Sequence, residues 1–346
     1  MRQRLLIPLL AVLGLVVAGL AVPGAADAKS RYRVGIGEQS FLAFQDKGFT
    51  SLKLKRTRLI VPWDWKNRAS DTPAIRAYLA AAKAGGYDVM VAFAAHRGCY
   101  ENGRYSSRKV CRAPSVKAYT GSVKRFRKAF PQVKTFQPWN ELNNKSQPTY
   151  RKPVLAAKYY IAMKKACLKC TVLAADILDS SDMIRYTTRV KRAIDGYARK
   201  HKRFRPRVWG LHNYSDVNRF RSRQTRQFLR TVPGKVWLTE TGGLVKFLPH
   251  FKNSPTRAAK ATRYLFKLAD TYSKKRKGQR SSIDRVYQYS YYGYLVPPGQ
   301  PNRQPRFDSG LVGPVLLNPD YSAGPGSGKG RKAYAVFKKA IRNKSK

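Results

Sequence analysis

Glutamate is almost missing from this chain. Its 346 residues include only four, Glu38, Glu101, Glu141 and Glu240, and 18 acidic residues in all against 70 Lys and Arg, a formal net charge of +52. A sequence this poor in Glu spends none on helix surfaces, where Glu is a good helix former, so each of the four is a candidate for a specific role. Histidine and cysteine are as scarce, four of each. No His lies at ligand spacing beside the single close cysteine pair, which argues against a structural zinc site. Four cysteines allow three pairings. Cys99 with Cys111 and Cys167 with Cys170 are the favoured pairs, and disulfides fit an oxidising compartment.

Long apolar runs are confined to the start. Arg2 and Arg4 precede the run Leu5–Val22, and Ala26-Asp27-Ala28 supplies a small-x-small pattern, so residues 1–28 are expected to be a secretory signal cleaved after Ala28. No other run approaches the roughly 20 residues of a membrane span. The expectation is a secreted protein with no membrane span after cleavage, one domain over 29–346, acting as a monomer. A Gly-rich phosphate loop is also lacking. Gly35-Ile36-Gly37 is followed by Glu38-Gln39-Ser40, with no third Gly at the spacing a dinucleotide or P-loop site requires. Zinc-finger, RNA-recognition and basic-zipper patterns are absent, so no specific nucleic-acid partner is expected. Neither is a cofactor, nor a metal, since no His/Asp cluster appears at ligand spacing.

What is present is a regular alternation. Short apolar runs at Tyr32–Gly37, Thr57–Pro62, Asp88–Ala94, Val133–Asn140, Thr171–Ala175, Arg207–Leu211, Lys235–Thr239 and Ile283–Tyr291 read as strands buried on both faces. Between them, helices are predicted over Ala74–Ala84, Ser115–Phe130, Tyr150–Ala166, Met183–Lys200, Gln224–Arg230 and Ser254–Ser273, with a last helix over Lys332–Ile341. On Ser115–Phe130 the residues Val116, Tyr119, Val123, Phe126 and Phe130 share one face. Eight βα units with short connections predict parallel pairing, and the length suits an α/β fold of the (β/α)8 TIM-barrel type. The alternative, an open doubly wound sheet, lacks its phosphate loop.

In such a barrel the strand ends line one mouth, where the site lies. The ends here deliver Glu38, Asp64, His96, Glu141, Asp176, His212, Tyr214, Glu240 and Tyr291, with Trp63 and Trp139 beside them. Carboxylates and aromatic faces around an open mouth suit a sugar. Glycoside cleavage needs one protonated carboxyl to donate to the leaving oxygen and one ionised carboxylate to attack or to activate water. Glu141 and Glu240 end strands that face each other across eight, so they can flank one bond. Charge on Glu240 opposes a second charge on Glu141, which keeps a proton available for donation. The activity optimum is therefore expected on the acid side of neutral.

Asn140-Glu141 on the fourth strand and Glu240 on the seventh resemble the signature of the retaining glycoside hydrolases of clan A, with family 39-like enzymes the nearest in pattern. The resemblance covers most of the chain as architecture, though its sharp motifs are short. It implies Glu141 as acid/base, Glu240 as nucleophile, and Asn140 on the sugar 2-hydroxyl. It also implies that His212 and Tyr214 shape the site and hydrogen-bond the nucleophile, and that Arg58 holds the nucleophile ionised. The clan places a Trp at the end of the eighth strand as a sugar platform. Here the stretch is Tyr287-Gln288-Tyr289-Ser290-Tyr291-Tyr292, and Tyr291 is expected to substitute. Trp63, Trp139 and Glu38 are further candidates for sugar contact. The substrate class is an oligo- or polysaccharide, and the cationic surface admits an acidic one. The rival reading is a barrel that binds an acidic cell-surface polysaccharide without cleaving it.

Overall fold

The computed structural model describes residues 32–101, 104–295, 306–316, 328–342 and 344. The expected signal at 1–28 lies outside them. The runs read as strands assemble into one curled sheet of nine parallel strands. Its order is Thr171–Val172, Thr135–Gln137, Asp88–Ala94, Arg56–Pro62, Arg33–Gly37, Ser281–Tyr289, Gly234–Thr241, Val208–His212 and Asp176–Leu178. Of the run expected as one strand at 171–175, only Thr171–Val172 is a strand at one edge of the sheet, and a second short strand, Asp176–Leu178, follows at the other edge. The three residues between them bond to both sides. Leu173 N donates to Phe136 O and Ala174 N to Val208 O, while Ala175 O accepts from Gly210 N.

Helices cover the outer face. They span Asp71–Ala84, Val116–Ala129, Pro153–Ala166, Met183–Lys200, Arg223–Thr231, Pro255–Tyr272 and Lys332–Ile341. Their ends follow local chemistry. Ser115 and Ser254 accept the first-turn N–H groups of Ala118 and Arg257, and Pro255 occupies the first position of its helix. The main core lies between sheet and helices. A second, small cluster joins Met90, Trp237 and Tyr287 from three strands with Leu173 from the link between the two edge strands, and fills the inside of the curl. Gly35 makes room for it, because a Cβ there would sit 2.8 Å from the Tyr287 ring.

Two excursions were not legible as elements. Tyr100–Glu101 and Arg104–Tyr105 form a small antiparallel pair inside the loop closed by the Cys99–Cys111 disulfide. Lys246–Phe247 pairs antiparallel with Phe307–Asp308 beside the mouth of the curl. The second disulfide, Cys167–Cys170, clips the turn after Pro153–Ala166, so both expected pairings are present. Among the described residues no helix is long and apolar enough to cross a membrane.

Candidate active site

Above the small apolar cluster, the C-terminal ends of the strands carry a polar layer. Its centre is Arg58, a fully buried cation on Arg56–Pro62. The guanidinium spends its donors on four partners: Nε on Gln137 Oε1 at 2.6 Å, Nη1 on Glu240 Oε2 at 2.7 Å, and Nη2 on Asn140 Oδ1 at 2.5 Å and Asp176 Oδ2 at 3.2 Å. A buried charge survives only when paired and hydrogen-bonded. This one is met by four residues from three other sheet segments, Gln137 and Asn140 coming from the same one.

Asp176, fully buried, is the hinge of the network. Its Oδ1 accepts from Thr239 Oγ1, and its Oδ2 lies 2.9 Å from His212 Nε2. Gly210 is required beside it, since a Cβ there would collide with Oδ1 of Asp176 and with Thr239. His212 Nδ1 reaches Glu141 Oε1 at 3.0 Å and lies 3.9 Å from Glu240 Oε2. The ring thus bonds the Glu141 carboxyl rather than Glu240, a correction to the expected role. Tyr214, the first residue of a short helix Tyr214–Asn218 rather than a strand end, donates to Glu240 Oε1 at 3.3 Å. Asp179 holds that helix in place by accepting from Ser215 N and Asp216 N.

The Glu141 backbone is fixed from both sides. Asn140 N donates to Phe93 O and Leu142 N to Asp176 O. Between these anchors Glu141 adopts φ +46°, a left-handed conformation costing a non-glycine residue roughly 1–2 kcal/mol. Asn144 Nδ2 donates to Glu141 Oε2 at 2.5 Å.

Charge follows from burial and partners. Burial disfavours the His212 imidazolium, but Asp176 and Glu240 outweigh it and push the ring up to about 10. Burial likewise opposes ionisation of Asp176, yet His212 and Arg58 hold it below the usual carboxylate range. Glu240 is raised, chiefly by burial, while His212 and Arg58 pull the other way. Burial, then the charge of Glu240, keeps the Tyr214 phenol protonated and a donor.

A cleft of about 490 Å³ opens over this layer. Asn140, Glu141 and Glu240 form its floor, and Tyr289, Phe307, Phe247 and Phe251 make an aromatic wall. Asn140, Glu141, Tyr214 and Glu240 therefore meet in one place, with Arg58 and His212 directly beneath. The other expected contacts do not. Trp139 is core, stacked on Tyr159 at 5.4 Å with its Nε1 on Gln147. Trp63 packs half-buried against the core and does not line the cleft. Tyr291 turns away, donates to Asp46 Oδ1 at 2.8 Å and meets the edge of Phe49; Tyr289 lines the cleft instead. Glu38 is fully buried, its Oε1 accepting from Gln39 N and Ser40 N and its Oε2 from Tyr291 N and Tyr292 N. His96 pairs with Asp64 at 2.7 Å.

The fold is shared with glycoside hydrolases. A family 39 glycoside hydrolase from the gut symbiont Bacteroides cellulosilyticus WH2 is similar with a TM-score of 0.52 at 14% identity, over 92% of this chain and 64% of that one. The chain thus spans less than two thirds of that protein's length. GH5_18 from Streptomyces cattleya, solved in complex with GlcNAc, is similar with a TM-score of 0.56 at 15% identity, covering 91% of this chain and 80% of that one. A GH10 xylanase from termite gut containing a bacterial Ig-like domain gives a TM-score of 0.56 at 10% identity, covering 90% and 76%. These likenesses are of fold. No protein-family model and no curated protein sequence matches the chain.

One atom each of Glu141, His212 and Glu240 lies within 4.8 Å of the others, a spacing a metal could bridge, although the sequence offered no ligand cluster. The donor chemistry does not fit. A metal needs a neutral imidazole with a free lone pair, whereas the charge of His212 is favoured, with Nδ1 on Glu141 and Nε2 2.9 Å from the Asp176 carboxylate as an ion pair.

Gln137, Asn144 and Tyr289 are the site residues that sequence reasoning missed. Asp176 was placed at the mouth by its position at a strand end but was given no role. Tyr289 had a weak signal, a ring within the tyrosine-rich last strand.

Proposed function

We propose that the protein is a secreted glycoside hydrolase that cleaves a β-linked glycan with retention, using Glu141 as acid/base and Glu240 as nucleophile in a single closed (β/α)8 domain over 29–346. The observation that carries this reading is the pair of carboxylates on the cleft floor, with one oxygen of each within 4.8 Å. Retaining enzymes keep the two carboxyl groups about 5–5.5 Å apart, and inverting ones about 6.5–9.5 Å. Closure of the barrel is supported by the single segment 171–178 that bonds to both edges of the sheet. The shared fold supports the reaction class.

The buried layer explains the division of labour. Two cations, Arg58 and His212, face three carboxyls, Asp176, Glu240 and Glu141. The layer is neutral when one carboxyl keeps a proton. Asp176 is held ionised, and Glu240 accepts at 2.7 Å from a permanent cation, the partner its carboxylate needs as nucleophile, which leaves the acid role to Glu141. In the first step an oxygen of Glu240 bonds to the anomeric carbon as the glycosidic C–O bond breaks, and the Glu141 proton goes to the leaving oxygen. Glu240 is then a neutral ester and Glu141 an anion, with the sum unchanged. In the second step Glu141 takes a proton from water, the water oxygen bonds to the anomeric carbon, and Glu240 leaves as carboxylate. One negative charge alternates between the two residues while the cations stay fixed. Preorganisation of this kind needs no rearrangement at the moment of reaction.

The test is reducing-sugar release from a panel of neutral and acidic polysaccharides, wild type beside Glu240→Gln, with the first-formed anomer read by proton NMR. Release by the wild type alone, as the retained anomer, is expected. An inverted product overturns the double displacement. No release together with salt-sensitive binding to an acidic polymer replaces the enzyme with a non-catalytic binding barrel.

A further inference from the structure

We propose that a second cleft, at the opposite end of the sheet from the carboxylates, binds an acidic polysaccharide and holds the protein on it. The cleft measures about 600 Å³ and opens at the start of the strands, beside Thr171 and Val208, whereas Asp176 and His212 lie at the far ends of the same segments. Six of its twelve lining residues, Lys164, Lys169, Lys202, Arg203, Arg205 and Arg207, are basic, and none is acidic; along the whole chain Lys and Arg make up about one residue in five. Among the described residues none of the six forms an ion pair, although several cations elsewhere do.

Two helices, Pro153–Ala166 and Met183–Lys200, end at this cleft, and their C-termini favour cations. Each terminus is worth about half a negative charge, so together they offset roughly one of the six. The rest is uncompensated positive charge in a concave surface, which focuses the field on an anion. The walls are built rather than loose. Lys164 Nζ donates to Leu168 O and Cys170 O across the turn clipped by Cys167–Cys170. Burial and the neighbouring Arg207 both destabilise the charge of Lys164, a cost that a bound carboxylate or phosphate would relieve. Nucleic acid fits less well, because single strands bind on exposed aromatic platforms. Tyr160, the only aromatic residue in the lining, is buried with its hydroxyl on Phe204 O.

The experiment measures binding of the full chain to polygalacturonate, as a uronate polymer, at low and high salt. The variant K202Q/R203Q/R205Q is compared with K274Q/K275Q/K277Q, which removes the same charge from exposed lysines outside the cleft. At least a tenfold loss of affinity in the first variant, little in the second, and unchanged cleavage of a small aryl glycoside are expected. Equal losses in both variants assign the binding to net charge and overturn the site. No loss in the first variant does the same. Single-stranded DNA bound as tightly as the uronate polymer, with the same loss in the first variant, would assign the cleft to polyanions at large and overturn the commitment to polysaccharide. R207K, which keeps the charge, should retain affinity, and serves as a second variant if the triple fails to fold. Because the aryl glycoside assay reads only the carboxylate cleft, failure here leaves the hydrolase reading standing, and the reverse also holds.

Discussion

His212 should remain an imidazolium at a pH where an ordinary histidine is neutral, and Asp176 should be the reason. Its ring is fully buried with Nε2 2.9 Å from Asp176 Oδ2 and Nδ1 3.0 Å from Glu141 Oε1, and it is pushed up from 6.5 to about 10. For a group raised on folding, the stability it contributes is fully present below the unfolded value of 6.5. That contribution is lost as pH rises through the folded value near 10. At 1.36 kcal/mol per unit, the shift corresponds to a contribution of order 5 kcal/mol at most, shared among His212, Asp176 and Glu240. Asp176→Asn keeps the shape and removes the charge. The His212 signal should then titrate several units lower, and most of the stability difference between pH 7 and pH 10.5 attributable to this ring should vanish. With only four histidines in the chain, imidazole NMR resolves the site directly, and urea unfolding of both forms across that range measures the energy. A wild-type His212 that titrates below pH 7 would refute the charge balance on which the assignment of Glu141 and Glu240 rests.

Other consequences are simpler. Glu141→Ala should lose about 10²–10⁴-fold in turnover on a glycoside with a poor leaving group and far less on an activated aryl glycoside; equal losses would remove Glu141 from the acid role. Tyr214→Phe deletes one hydrogen bond to Glu240 and should lower kcat/KM by about 5–15-fold, from roughly 1–1.5 kcal/mol, in steady-state kinetics. With burial holding Glu240 above the usual carboxylate range, the acid limb of the pH–rate profile should lie above that of a free carboxylate and still leave the optimum below neutral. Activity that persists unchanged to high pH would contradict this. Loss of the Cys99–Cys111 bridge, which closes a separation of 12 residues, should cost about 3 kcal/mol, read as a lower Tm in the Cys99→Ser/Cys111→Ser variant.

The strands were readable because parallel strands buried on both faces appear as short apolar runs between helices. The helix Met183–Lys200 was legible to its ends, and the tip carboxylates followed once strand ends were taken as the mouth. What the sequence did not disclose is which way a tip side chain points. Successive residues on an extended chain face opposite sides. Asn140 turns into the mouth while its neighbour Trp139 turns out onto Tyr159. Tyr289 and Tyr291 share a nominal parity, but the strand ends at Tyr289 and the chain veers at Ser290, so only the first reaches the cleft. The four partners of Arg58 lie 79 to 182 residues away in sequence, and no local pattern announces them.

Glu38, which failed as a sugar contact, has a different consequence. Its carboxylate joins amides 253 and 254 residues further along to two beside it. The two distant amides reach it only when the strand Ser281–Tyr289 docks against Arg33–Gly37. These two bonds close a span of more than 250 residues, a long-range contact of the kind that slows high-contact-order chains. A chain cut before Tyr291 would leave this carboxyl group without two of its amides, and such a fragment is expected to be cleaved by proteases more readily than the full chain.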